Sequence, residues 1–189
     1  MSASRGQLRI IAGRWRSRKL EFPEHDTLRP TPDRVRETLF NWLQADIPGS
    51  RCLDLFAGSG ALGFEAASRG AGDVVMIERD RKVCAALEAN RQLLGADNIQ
   101  IKNSDGLDWL QHNNQSFDVV FLDPPYRSGM ISASCSLLDS GQGLEEHAKI
   151  YVEHALDEAS QIVIPENWEC LREKSAGQVV YKLFSRHTE

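Results

Sequence analysis

The residues best suited to do chemistry are Asp123, Pro124, Pro125 and Tyr126. They directly follow the apolar run Phe117–Leu122, so they should leave the carboxyl end of a central strand, where open α/β sheets bind ligands. An exocyclic amine on a nucleobase is a poor nucleophile, because its lone pair is delocalised into the ring. A site that uses such an amine must accept both N–H bonds and favour a pyramidal nitrogen. The Asp123 carboxylate and the Pro124 carbonyl can supply those acceptors, and consecutive prolines hold them by fixing φ. Tyr126 offers a flat face on which a base can stack. A methyl group would then pass in line to the nitrogen, with positioning supplying most of the rate gain. The competing reading is a rigid strand-end turn closed by a packing aromatic.

A second set of residues predicts the methyl donor. Asp54-Leu55-Phe56-Ala57-Gly58-Ser59-Gly60-Ala61-Leu62-Gly63 leaves a strand and enters a helix. Glycines there let the backbone approach a ligand closely, with amides pointing at it. Gly58, Gly60 and Gly63 fit G-x-G-x-x-G, so a dinucleotide fold has to be weighed. Asp54 argues against it, since an acid beside a pyrophosphate cradle is unhelpful. It suits the cationic part of S-adenosylmethionine instead. Glu78, 18 residues after Gly60, ends the next strand and can accept from both ribose hydroxyls, which fits either cofactor. Asp105, after Ser104, can accept from an adenine amine or cap a helix. Phe56, Ser59, Arg79, Ser104 and Asp123 complete the expected cofactor contacts.

Alternating strand and helix patterns must position these groups. Strands are expected at Cys52–Phe56, Asp73–Ile77, Ile99–Lys102, Phe117–Leu122 and Ile150–Glu153, with helices at Ala61–Arg69, Asp80–Leu94, Gly106–Gln111 and Met130–Leu138. Trp168–Glu173 and Val179–Phe184 can pair across Ser175-Ala176-Gly177. This alternation implies a Rossmann-like α/β fold, a mostly parallel sheet with helices on both faces. Upstream, residues 8–20 read as a small hairpin turning at Ala12-Gly13, residues 21–30 as a polar connection. Thr31 is expected to cap a helix with Pro32 in its first position and Val35, Leu39, Trp42 and Leu43 on one face. The expected division is a basic extension, residues 1–30, and a catalytic domain, residues 31–189.

The net charge of −5 conceals an asymmetry. Residues 1–20 carry Arg5, Arg9, Arg14, Arg16, Arg18 and Lys19 with no acid, leaving 16 of 22 basic side chains against all 27 acidic ones. Arg9, Arg14, Arg16, Arg18 and Lys19 would suit a phosphate backbone, although a solvated hairpin is an equal reading of charge alone. Cys52, Cys84, Cys135 and Cys170 form no C-x-x-C pair and the histidines show no ligand spacing, so no metal is expected. No apolar run is long enough to span a membrane, and the first residues lack a secretory pattern. A cytoplasmic protein, adequate as a monomer, is expected.

The four motifs together resemble class I methyltransferases with a D-P-P-Y signature. Arg9-Ile10-Ile11-Ala12-Gly13, Arg18-Lys19-Leu20, the segment Arg29-Pro30-Thr31-Pro32-Asp33-Arg34-Val35-Arg36-Glu37-Thr38-Leu39-Phe40-Asn41-Trp42-Leu43, and the tail around Arg172–Gln178 are similar to the bacterial RsmD family. That resemblance implies guanine-N2 methylation of 16S ribosomal RNA in the small subunit or its precursor. It further implies seven strands with the last two antiparallel. Asp54, Gly58, Gly60, Glu78 and Asp105 would hold S-adenosylmethionine, Asp123–Tyr126 the guanine, and the basic arm the RNA. Four rivals remain. A DNA adenine-N6 or cytosine-N4 methyltransferase would need a target-recognition domain, for which there is no room. A protein glutamine methyltransferase prefers Asn in place of Asp123. An NAD-linked oxidoreductase leaves Asp54 and Asp123–Tyr126 unused, and a non-enzymatic RNA-binding module explains only the arm.

Overall fold

The computed structural model describes residues 5–23 and 31–187. Arg29, Pro30 and most of the expected polar connection lie outside the described residues, as does the side chain of Arg5. The chain opens with a hairpin, β1 (Arg5–Arg9) and β2 (Lys19–Pro23), followed by α1 (Asp33–Trp42). Then come β3 (Arg51–Asp54), α2 (Ala61–Ser68), β4 (Asp73–Glu78), α3 (Arg81–Leu94), β5 (Ile99–Asn103), α4 (Gly106–His112), β6 (Phe117–Leu122) and α5 (Met130–Ser140). A long β7 (Leu144–Ala155), a 3-10 turn and the hairpin β8 (Trp168–Ala176) and β9 (Val179–Arg186) complete it.

The seven-stranded sheet runs β5-β4-β3-β6-β7-β9-β8. The pairs from β5 to β7 are parallel, and β9 inserts antiparallel between β7 and β8. From β3 the chain winds outward to β4 and β5, then returns to place β6 on the other side of β3. Order therefore reverses between β3 and β6, which opens a crevice at their carboxyl ends.

Successive strand residues face opposite layers. Cys52, Val74, Met76, Val119 and Phe121 pack with α1, α2, α3 and the hairpin, whereas Leu53, Val75, Val120 and Leu122 pack under α4 and α5. Gly95 closes α3 in the left-handed region as read, whereas Asp80, expected as the first helical residue, is its N-cap and accepts from the Lys82 and Val83 amides.

Two readings need correction. The N-terminal hairpin pairs residues 5–9 with 19–23, so Glu21–Pro23 is strand, and Ala12-Gly13 lies within a longer connection. Its apolar side, Leu8, Ile10, Trp15, Leu20 and Phe22, is buried in the core shared with α1, α2 and α3. The basic segment is thus docked against the body. Gly13 makes this possible: at φ +83°, a Cβ there would lie 1.9 Å from the Ser68 carbonyl oxygen. Secondly, Thr31 does not cap α1, whose N-cap is Pro32 and which has no side-chain cap bond. The Thr31 hydroxyl is engaged elsewhere. At the sheet, β7 begins earlier than expected because a register shift between Phe117 and Val119 lets the polar run Leu144–Lys149 join it.

Candidate active site

A cleft of about 800 Å³ opens at the carboxyl ends of β3, β4, β5 and β6. Asp54 ends β3 on one side of the switch point and Asp123 follows β6 on the other; Asp54 is in register with Phe121. The loop between β3 and α2 is held from both ends. Gly63 donates its amide to Asp54 (2.9 Å), and Gly58 donates its amide to Glu78 (3.0 Å). Glu78 also accepts from Asp80 N at 2.7 Å. Gly60 sits at φ +81° where a Cβ would lie 2.6 Å from Phe64, so only glycine allows the loop to fold onto α2. Asp105 caps α4 through Oδ1, accepting from Leu107 and Asp108 amides, while it also lines the cleft. The cap and the ligand reading of Asp105 are therefore compatible.

Every residue expected to hold cofactor lines this cleft except Gly60, which shapes the loop beneath it. Pro124, Pro125 and Tyr126 line it too. Arg9, Arg14, Arg16, Arg18 and Lys19 do not, but their side chains are exposed on the hairpin. Arg9 reaches Asp33 at 3.5 Å, two residues past cleft-lining Thr31, so the basic hairpin adjoins one rim.

Two further residues join the site. Thr31 donates to Asp123 Oδ2 at 3.1 Å. Glu153, almost fully buried, lines the cleft beside Asp123, each following the last paired residues Leu122 and Val152 of β6 and β7. The signal for Glu153 was a lone acid at the carboxyl end of an apolar strand. Thr31 gave none, because Thr-Pro at a helix start reads as a cap.

Six acids line the cleft (Asp54, Glu78, Asp80, Asp105, Asp123 and Glu153) against one base, Arg79. Setting aside the buried Asp54, Asp123 and Glu153, the acids Glu78, Asp80 and Asp105 still outnumber Arg79, a sign that attracts a sulfonium and an ammonium and repels a pyrophosphate. The residues present fit S-adenosylmethionine better than NAD. Burial pushes Asp123 well above the ordinary carboxylate range; Glu153 adds to the shift and the Thr31 hydroxyl opposes it. Burial raises Glu153 as well, against the phenols that donate to it. Burial pushes Asp54 up to about 7, with Glu78 adding and the Gly63 amide opposing.

The Asp54 shift has a testable sign. A carboxyl raised from 3.8 to about 7 in the folded state contributes its full stability below pH 4 and loses it as pH rises through 7. Asp54→Asn has no proton to lose. Its stability relative to the parent should improve between pH 4 and pH 8, by up to about 4 kcal/mol. Denaturant unfolding at both pH values measures this, and a pH-independent difference would mean that Asp54 ionises freely.

A single reversed strand, β9, in an otherwise parallel sheet, a glycine turn after its first strand and Asp-Pro-Pro-Tyr after β6 define a class I S-adenosylmethionine-dependent methyltransferase fold. Residues 8–185 match the family described as Conserved hypothetical protein 95. The chain is 47% identical over 184 residues to Ribosomal RNA small subunit methyltransferase D of Escherichia coli K12, covering 97% of this chain and 92% of that one. The Haemophilus influenzae protein of the same name is 46% identical over 185 residues, covering 96% and 95%. A solved Escherichia coli structure assigned as a methyltransferase superposes with a TM-score of 0.90 at 44% identity, covering 97% of this chain and all of that one. A Haemophilus influenzae methylase structure gives 0.83 at 45% identity, covering 97% and 100%. The chain belongs to this family, the RsmD methyltransferases.

Among the described residues no cluster of three or more His, Cys, Asp or Glu could hold a metal ion. No helix among them is long and apolar enough to cross a membrane.

Proposed function

We propose that the protein transfers a methyl group from S-adenosylmethionine to the exocyclic N2 of a guanine in 16S ribosomal RNA, within the small subunit or its cytoplasmic precursor. The observation that carries this reading is the anionic cleft at the β3/β6 switch point with Asp123–Tyr126 at its end. The names of its relatives support the RNA substrate. S-adenosylmethionine supplies an electrophilic methyl group and leaves as S-adenosylhomocysteine. Asp54 secures the glycine turn, with Phe56, Gly58, Ser59 and Gly60 forming its surface. Glu78, beside Arg79, accepts ribose hydroxyls, and Asp105, beside Ser104, accepts from adenine. Glu78 has a second duty, since the same carboxylate holds Gly58.

Asp123, with Thr31 occupying one oxygen, accepts a hydrogen bond from the guanine amine, the Pro124 carbonyl accepts one from its other N–H, and the methylated nitrogen then releases one proton to Asp123 or to water. Tyr126 stacks on the base, which enters flipped or already unpaired. The basic hairpin grips RNA at the rim. An NAD-linked reaction would set a pyrophosphate among the cleft's acids. Mass spectrometry of ribosomal RNA from cells lacking this gene should reveal one missing methyl on a guanine. An unchanged methylation pattern overturns the proposal, and loss from adenine or cytosine instead redirects it to another base.

The hairpin has its own test. Arg14, Arg16 and Arg18 are exposed, and their replacement with Ala removes about three phosphate contacts. RNA affinity should fall and its log–log salt slope flatten by about 2–3. S-adenosylhomocysteine affinity should stay the same. If neither RNA quantity moves, the arginines only solvate the surface.

A further inference from the structure

Tyr126 sits on a turn that packing alone does not hold. Its ring is about half exposed, and a second cavity of about 190 Å³ lies under the turn, lined by Pro124, Pro125, Tyr126, Glu153 and Glu158 among others. The turn is tethered through side chains instead. Tyr126 Oη donates to Glu153 Oε1 at 3.0 Å, and the Arg127 amide donates to Glu158. Glu153 Oε2 accepts from Tyr151 Oη at 2.6 Å. Tyr151 is fully buried and packs against Phe121 and Tyr181, so the anchor belongs to the core. One carboxylate thus joins a core phenol to the phenol of the turn.

That carboxylate is costly to keep. Glu153 is only 3% exposed and forms no salt bridge with a described residue. Its charged or titratable neighbours are Asp123, Tyr126, Tyr151 and His154. A buried acid without a cation is unfavourable for packing, so its presence at a site mouth points to a role beyond stability. Two phenols donating to its two oxygens give that role a geometry. Burial and the nearby acids raise the Tyr126 phenol well above its ordinary range, so it remains a donor to Glu153. An untethered, half-exposed tyrosine would sample several rotamers, and ordering it at each turnover costs rate.

We propose that Glu153 is a positioning residue that acts through Tyr126, fixing the ring against which the target base stacks. This rests on the reading of Asp123–Tyr126 as the base site. The test is a double-mutant cycle of Glu153→Gln and Tyr126→Phe, in which Phe keeps the ring and loses only the tether. The assay is methylation of small ribosomal subunits from a strain lacking the gene, with saturating S-adenosylmethionine. Tyr126→Phe should lower kcat by about ten- to hundredfold, the value of a hydrogen bond to a charged group, and Glu153→Gln, which loses the charge but keeps one acceptor oxygen, by that much or less. KM for the subunit and calorimetric affinity for S-adenosylhomocysteine should stay within about twofold. The double variant should be no slower than the slower single, because one contact is lost once.

Multiplicative losses overturn the proposal. So does a pH–rate profile shifted by Glu153→Gln and not by Tyr126→Phe, which would place the action of Glu153 on Asp123. If Glu153→Gln fails to fold, Tyr126→Phe decides alone: a full rate overturns the tether, and the predicted kcat loss at constant KM supports it. A parent protein that methylates no such subunit sinks the underlying reading as well, and is distinguishable because all variants are then equally silent.

Discussion

Asp123→Ala should leave a folded protein that binds S-adenosylhomocysteine and transfers methyl groups about 100- to 1,000-fold more slowly, the usual cost of one positioned polar group in a transition state. The amine nitrogen gains positive charge as the new bond forms, and Asp123 is the acidic side chain of the Asp-Pro-Pro-Tyr turn set to meet it. Thr31 bonds Oδ2, and in the proposed mechanism Oδ1 accepts from the base. Asp123→Asn refines the result. It keeps one acceptor oxygen and the shape, so measurable activity in Asn would assign the effect to hydrogen bonding, and a nearly dead protein would assign it to charge. The raised titration of Asp123 adds a pH signature. A carboxyl held above its ordinary range ionises at higher pH than a free one, so the single-turnover rate of the parent should keep climbing with pH beyond the ordinary carboxylate range. The Asn variant should be flatter. Single-turnover assays at saturating cofactor separate this step from binding. Near-normal turnover in a folded Asp123→Ala protein would reduce the Asp-Pro-Pro-Tyr turn to scaffolding.

Much of this site was legible because its parts are local. The glycine turn, Glu78 at a strand end and Asp123–Tyr126 after Phe117–Leu122 each declare themselves within ten residues, and alternating β and α patterns fix which ends of the strands they share. What stayed hidden depends on partners far away in the chain. Thr31 looked like a cap because Thr-Pro favours one locally, yet its hydroxyl meets Asp123 92 residues on. Glu153 reaches the site through the register of β6 and β7, which no single segment encodes. The docking of the basic hairpin was not read, because its arginines dominate the charge, whereas Ile10, Trp15 and Leu20 decide where it packs.

That docking supports the second large expected effect, on stability. Glu65 is fully buried in the middle of α2 and meets three elements. It accepts from the Ile11 and Ala12 amides at 2.8 and 3.0 Å and from Arg69 Nε at 2.6 Å, and it faces Arg36 Nη1 at 3.6 Å. Arg36 is itself buried, and its Nη2 donates to the Arg9 carbonyl. One carboxylate therefore ties the hairpin to α1 and α2. Glu65→Ala removes the acceptor for two partly buried amides and for Arg69 Nε, and leaves the buried Arg36 with Asp33 as its counter-ion. Breaking such a pair from one side costs about 3–5 kcal/mol. For a chain of this size that is a fall of roughly 6–20 °C in melting temperature. Replacing both partners, as in Arg36→Met with Glu65→Leu, removes the buried cation and should recover part of the loss, although Arg69 and the Ile11 and Ala12 amides still lack their acceptor. Loss of the tether should also weaken RNA binding more than S-adenosylhomocysteine binding, since the arginines ride on the hairpin and the proposed cofactor residues do not. Thermal and denaturant unfolding of the two variants decide the matter. A Glu65→Ala protein within about 1 kcal/mol of the parent would show that water or a rearranged hairpin satisfies these groups, and that the basic segment is held by its apolar side chains alone.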